Sequence, residues 1–274
     1  MEAEEELIEE GHDLMQSDLW MKDKDEYLSR LNEYLKKASD LKQSDLAAYV
    51  SRRKVVIDLF EKALTFQDDG KYIKEEIIHN LFMPMRTTSE ECSDSNLWLI
   101  DERLAFHNFL ASDKTLSSMP ITSDKSNLEP DICSLNICDN PLLVNPTKEL
   151  PLASITLVEF KRPMRNDANS ADPIKQVFNY LKRIRDGGVK TNNGRLIPES
   201  KNIPGYCYIL CDLTSTMIDV CEEKSYVKTS DGLGYFGFNS VYNAYIEVIS
   251  FDRLLRGAKE RNKAFFDKLG LPSF

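Results

Sequence analysis

The stretch Ser154-Ile155-Thr156-Leu157-Val158-Glu159-Phe160-Lys161-Arg162-Pro163 decides how the rest of the chain is read. It is rich in β-branched and aromatic residues and is closed by a proline, which predicts a buried strand. Side chains alternate along a strand, so Glu159 and Lys161 share one face while Val158 and Phe160 face the other layer. A carboxylate and an ammonium at the end of an apolar strand cost desolvation energy unless something uses them. A divalent cation beside a scissile phosphate would use both.

Upstream, Pro130-Asp131-Ile132 opens a second apolar-alternating run, from Asp131 to Cys138. Antiparallel pairing of the two runs would set Asp131 beside Glu159. The spacing of an acid two residues before a lysine carries little by itself. It recurs at Asp40-Leu41-Lys42, Asp69-Gly70-Lys71, Glu199-Ser200-Lys201 and Glu222-Glu223-Lys224, and only the copy at Glu159 ends an apolar strand. Downstream, Asp172 offers an N-cap, Pro173 a first helical residue and Gly187-Gly188 a stop, which predicts a helix over 173–186. Ile174, Val177, Leu181 and Ile184 form its apolar stripe, with Gln176, Tyr180 and Arg183 on an adjacent polar face. Gln176 is the one glutamine in the chain with a tyrosine four residues on. The plain alternative for Tyr180 is an ordinary tyrosine of an amphipathic helix.

The 274 residues, 42% hydrophobic, suffice for one domain of ordinary size and an appendage. Neither a secretory leader nor an apolar run of about 18 residues is legible, which points to a cytoplasmic protein away from membranes. Cysteines 92, 133, 138, 207, 211 and 221 contain no C-x-x-C pair and read as reduced thiols, not as a disulfide framework or a zinc site. The net charge of −10 is unevenly spread. Residues 1–45 hold 14 acidic against 6 basic residues, whereas residues 161–195 hold nine Lys or Arg against three Asp. A basic run directly after the charged strand is where a phosphate backbone would need it, although a solvated helix face has the same composition.

Residues 1–65 read as an acidic helical arm or coiled coil, with 66–274 as the remaining domain. In the arm Leu28, Leu31, Leu35 and Ala38 mark one helix, and Ser44 or Asp45 caps a second from Leu46 to Leu64. The leucine stripe predicts a homodimer through these helices. The abrupt start in a charged helical segment suggests a piece of a longer protein. A further helix from Lys71 to near Pro84 carries Glu75, Glu76 and His79, with Glu76 and His79 placed on one face. In the run 96–110, Trp98 and Phe106 are read as core and His107 as a satisfied, partly buried histidine. Residues 111–129 read as a loop. Strands follow at 205–212, 235–238 and 244–250, then a helix over 251–269 with Leu254, Leu255, Ala258 and Phe265 inward.

The order Pro130-Asp131, then Glu159-x-Lys161, then Gln176-x-x-x-Tyr180 resembles the PD-(D/E)xK nuclease superfamily with the QxxxY motif of its RecB-type members. Ser44 through Arg86, Leu97-Trp-Leu-Ile-Asp-Glu-Arg-Leu104, Ala111-Ser-Asp-Lys114, Glu159–Pro163 and Gln176–Tyr180 are further similar to the C-terminal region of large bacterial proteins. In those proteins a GHKL-type ATPase precedes a nuclease-like domain. The similarity runs from about residue 45 onward, and the ATPase half is absent from this chain. The resemblance implies an α/β, restriction-endonuclease-like mixed central sheet flanked by helices, preceded by the helical arm. It implies metal-dependent hydrolysis of phosphodiester bonds, in DNA more than in RNA, a GHKL-type ATPase as partner domain or subunit, and a place in bacterial antiviral defence. Asp131 and Glu159 would hold Mg²⁺ (or Mn²⁺), with Glu76 as the extra acid and Glu102 its rival. Lys161 would orient or deprotonate the water, and Gln176 and Tyr180 would contact phosphate or water. Arg162, Arg165, Lys175, Lys182 and Arg183 would hold the backbone. The alternative is a non-catalytic nucleic-acid-binding or assembly module that keeps the fold without turnover.

Overall fold

The computed structural model describes residues 2–16, 23–65, 72–92, 95–137 and 153–272. The chain is mixed α/β and divides into two compact units, Met1–Val55 with Asn262–Phe274, and Val56–Arg261. A boundary drawn along the sequence at 65 therefore misses that the C-terminal residues join the helical unit.

The larger unit is built on an eight-stranded, mostly antiparallel sheet flanked by helices. In chain order its strands are β1 (Thr87–Thr88), β2 (Phe109–Ser112), β3 (Ile132–Ile137), β4 (Ala153–Phe160), β5 (Gly205–Leu210), β6 (Val227–Lys228), β7 (Gly234–Asn239) and β8 (Ala244–Ile249). Their order across the sheet is β1-β2-β3-β4-β5-β8-β7-β6. Pairings are antiparallel except β4 with β5 and β5 with β8. The strand expected from 154 to 160 is thus at the centre, where its near-continuous apolar run belongs. The expected pairing of the two runs is present, with Ile132 opposite Val158 and Cys133 opposite Leu157. Cys138, the last residue of the upstream run, lies outside the described residues.

The two sheet faces are covered differently. One face joins Cys133, Leu135, Leu157 and Cys207 to the inward stripe of the helix Pro173–Asp186, namely Ile174, Val177, Leu181 and Ile184. That helix begins and ends as its sequence signals require. Asp172 Oδ1 accepts from the N–H groups of Ile174 and Lys175 at 2.9 and 3.2 Å. On the other face, the helix Glu75–Phe82 lays His79 and Phe82 on Phe160, with ring centroids 5.0 and 4.9 Å away. Phe60 in turn packs edge-on against Phe82 and Phe251. Phe106, expected in the core, is instead 76% exposed, because the short turn Glu102–Ala105 buries Leu104 and throws the next side chains outward. His107 is half-buried, with a buried Nδ1 that has no partner among the described residues. Cys133, Cys207, Cys211 and Cys221 are buried free thiols, and burial pushes Cys133 up to about 12.

In the smaller unit the helices are α1 (Glu2–Gln16) and α2 (Lys24–Ala63), the latter extending beyond the unit. Ser44 and Asp45 do not start a new helix. No glycine or proline interrupts residues 24–63, and a capping residue only ends a helix where the backbone leaves helical geometry. The hairpin forms between α1 and α2 instead, with Lys37 Nζ 3.0 Å from Glu10 Oε1 and Leu14 and Val50 buried. A Cβ at Gly11 would stand 2.9 Å from Tyr34 Oη, so a glycine permits this approach. Arg53 Nη1 donates to Asn262 Oδ1 at 3.1 Å. The C-terminal helix Phe251–Lys268 buries Leu254, Ala258, Asn262 and Phe266 and leaves Phe265 49% exposed. An all-apolar stripe would turn Phe265 inward, but the buried stripe runs through Asn262 to Phe266. Among the described residues no helix is long and apolar enough to cross a membrane.

Candidate active site

The register that pairs Ile132 with Val158 carries Asp131 opposite Glu159, on the face that packs under the helix Pro173–Asp186, here α4. The Phe160 N–H donates to Asp131 Oδ2 at 2.7 Å, which fixes the aspartate at the strand end. Lys161 Nζ donates to Glu159 Oε1 at 2.6 Å, with the two side chains 12% and 2% exposed. The other oxygen, Glu159 Oε2, is buried and has no hydrogen-bond partner among the described residues.

The third acid is Glu75, not Glu76. On the helix Glu75–Phe82 (α3), Ile78, His79 and Phe82 face inward, and Glu75 precedes Ile78 and His79 by one turn. Its Oε2 accepts from the Arg162 N–H at 2.7 Å. Glu76 is exposed and stands over Asn80 on the solvent side. The expectation of Glu76 on the His79 face used a spacing of three, and the burial stripe selects the spacing of four. Glu102 lies in the turn Glu102–Ala105, whereas the charge of Glu75 reaches both Glu159 and Lys161, and that of Asp131 reaches Lys161.

Burial, then the neighbouring Glu159 charge, holds Asp131 well above the usual carboxylate range. Burial likewise pushes Glu159 up to about 7, against the pull of Lys161 and with reinforcement from Glu75. For Lys161 burial opposes the charged form, but Glu159, Glu75 and Asp131 together raise it above its ordinary value. Lys161 is therefore an ammonium in this arrangement.

His79 was not singled out as a site residue beyond its pairing with Glu76. It is buried, its Nε2 lies 2.8 Å from Ser112 Oγ, and burial lowers it to about 4, so its imidazole is neutral. Asp212, after β5, was also missed. Its Oδ2 accepts at 2.7 Å from the N–H of Met164, which sits at a φ of 58° in the turn after Lys161. No local pattern marks either residue, because each acts through a contact distant in sequence.

Gln176 Nε2 donates to Tyr180 Oη at 2.6 Å, and the tyrosine read on the polar face lies in the buried core. Tyr180 is 5% exposed, and burial followed by the nearby Glu159 and Asp131 charges raises it to about 12. Arg162 and Arg165 are exposed beside the strand end, the first reaching the Tyr72 carbonyl at 3.0 Å and the second Asp167 at 2.8 Å. Lys175, Lys182 and Arg183 line the outer face of α4, Arg183 lying 3.6 Å from Asp124. Arg185, in the same basic run, is buried and donates to the carbonyls of Tyr242, Ile203 and Asn243, so it clamps backbone and faces no ligand.

Among the described residues, no group of three or more His, Cys, Asp or Glu side chains is set to hold a metal ion by itself. The donors present fit a different arrangement. Asp131 and Glu159 offer hard oxygens, one of them buried without a partner, and Mg²⁺ is commonly held by one or two carboxylates together with water and substrate phosphates. Comparison of the chain with protein-family models, curated proteins and solved structures returns no match.

Proposed function

We propose that the end of β4 is the active site of a metal-dependent nuclease with a restriction-endonuclease-like core, acting on DNA in preference to RNA. The observation that carries this reading is Glu159 Oε2, a carboxylate oxygen buried without a hydrogen-bond partner among the described residues, next to a second carboxylate. Such an atom is costly to bury unless a cation takes it. A bound Mg²⁺ would supply Lewis-acid polarisation and a more acidic water. Asp131 and Glu159 hold it, Lys161 offsets charge on the phosphoryl oxygens, and Arg162 and Arg165 draw the strand in. Glu75 fixes the Arg162 backbone and, with it, the turn that follows Lys161.

One observation favours the non-catalytic reading. Asp131, Glu159 and Glu75 each spend an oxygen on a protein hydrogen bond. Incubation of plasmid, linear duplex, single-stranded DNA and RNA with Mg²⁺ or Mn²⁺ separates the two. Cleavage that is lost in Glu159→Gln supports the nuclease, and binding without turnover under every metal supports the module. Exposed Leu28, Leu35 and Leu46 on α2 support a homodimer through the N-terminal helices, tested by sedimentation with and without residues 1–44.

A further inference from the structure

A hollow of about 490 Å³ opens on the outer face of α4, lined by Lys175, Lys182, Lys224 and Asn179 with Tyr226 and Tyr242 as aromatic walls. No carboxylate is among its described lining residues, in a chain whose net charge is −10. Tyr242 is stacked flat on Phe178, with centroids 4.6 Å apart and planes within 10°. A neighbouring depression of about 380 Å³ shares Lys175 and Lys224 with it but is otherwise acidic, lined by Asp172, Asp219, Glu222 and Glu223.

We infer that this hollow seats one nucleotide of a single strand, its phosphate among the three lysines and its base against the tyrosines. The inference rests on the nuclease reading and names the form of its substrate. The volume lies in the range of small-ligand sites and holds one nucleotide, whereas a double helix cannot enter a concavity of that size. Lysines supply the sequence-independent phosphate attraction, and an aromatic wall accepts any base because every base has a π face. Lys224 is held by Asp172 at 2.7 Å, and the exposed Lys175 lies 3.8 Å from the same carboxylate, so one of the three cations is preset.

The test is anisotropy of labelled oligonucleotides in chelator, where no turnover occurs, using a single strand of about 12 nucleotides, its duplex, and an abasic strand of equal length. Lys175→Glu with Lys182→Glu reverses two exposed charges, and Lys201→Glu, on the turn Ser200–Asn202 and not among the hollow's lining residues, controls for net charge. Expected are tighter binding of the single strand than of the duplex, and a preference for bases over abasic sites of about 5-fold or more. The double reversal should weaken single-strand binding by about 10-fold or more and make its salt dependence shallower, with Lys201→Glu changing it less than about 2-fold. Equal loss in Lys201→Glu, no loss in the double reversal, or tighter duplex binding overturns the inference. Cleavage by the unaltered protein with Mg²⁺ is scored separately. If it fails while the binding pattern holds, the nuclease reading falls and the strand groove stands. If the protein cleaves but the reversal leaves affinity unchanged, the groove falls alone.

Discussion

At the end of β4 three carboxylates, Asp131, Glu159 and Glu75, gather around one largely buried lysine, whereas the hollow on the outer face of α4 has three lysines and no carboxylate among its described lining residues, with Asp172 beside two of them. The difference is one of dielectric as much as of sign. Charges at the strand end are buried, so each depends on a particular partner at a particular distance. Those on α4 are mostly exposed, screened by salt, and act through their number. The first arrangement repels a phosphate until a cation intervenes, and the second attracts it at once. Chemistry and affinity should therefore respond to different substitutions.

The largest effect expected is on cleavage. Glu159→Gln and Lys161→Ala should each lower the rate by about 10²-fold or more, since each removes a positioned group at the one point where charge develops. Binding in chelator should be unchanged, or slightly tighter for Glu159→Gln, which removes a repelling carboxylate. If Lys161→Ala cleaves like the parent, the strand end is not the catalytic site and the contrast with α4 loses its meaning.

A second test uses pH. Glu159 is raised to about 7 in the fold against about 4.5 when unfolded. The folded state thus binds the extra proton across that interval, and stability falls as pH rises through it. Asp131 acts in the same direction, and His79, lowered to about 4, acts in the opposite one. The informative quantity is the difference between the parent and Glu159→Gln. In chelator, the variant's thermal midpoint should gain on the parent's by on the order of a few °C between pH 5 and 7. A constant difference across that window would show that Glu159 is not held in a costly buried site.

A third test asks whether the two regions cooperate through the ligand. Two carboxylates alone hold Mg²⁺ weakly, and substrate phosphates complete its coordination. Calorimetric titration should show Mg²⁺ affinity rising by about 10-fold when a cleavage-resistant DNA strand is present. Equal affinities with and without DNA would separate the metal from the phosphate.

Much of this contrast was legible in the residues. The pairing of Asp131 with Glu159 follows from strand alternation once two apolar runs lie side by side, and α4 carried its own start and stop in Asp172-Pro173 and Gly187-Gly188. The choice of Glu75 over Glu76 was not legible. Both spacings bring a glutamate near His79, and only the packing of Ile78 and Phe82 on β4 decides between them. Asp212 and Ser112 were hidden for a similar reason, since their partners Met164 and His79 are 48 and 33 residues away. The basic run was legible as a number and not as a distribution. Arg185 is sequestered by three carbonyls, and Lys224, which completes the hollow, lies well outside the run and was read only as a repeat of the acid-x-lysine spacing.

The smallest effect is expected at Asp172, where the two regions meet. Its Oδ1 caps α4 through the N–H groups of Ile174 and Lys175, and its Oδ2 holds Lys224. Asp172→Asn keeps an oxygen for the cap, because asparagine and aspartate cap about equally well. It removes the negative charge from the helix N-terminus, at a cost of about 0.3–1 kcal/mol, and the partner from Lys224. The hollow then carries its lysines with less compensation. Single-strand affinity at low salt should rise by a few-fold, about 1 kcal/mol or less, with a slightly steeper salt dependence, and the gain should vanish at high ionic strength. Weaker binding in Asp172→Asn would mean that holding Lys224 in position matters more than freeing its charge. The outer face of α4 would then obey the same positional rule as the end of β4, and the contrast drawn between them would reduce to one of sign.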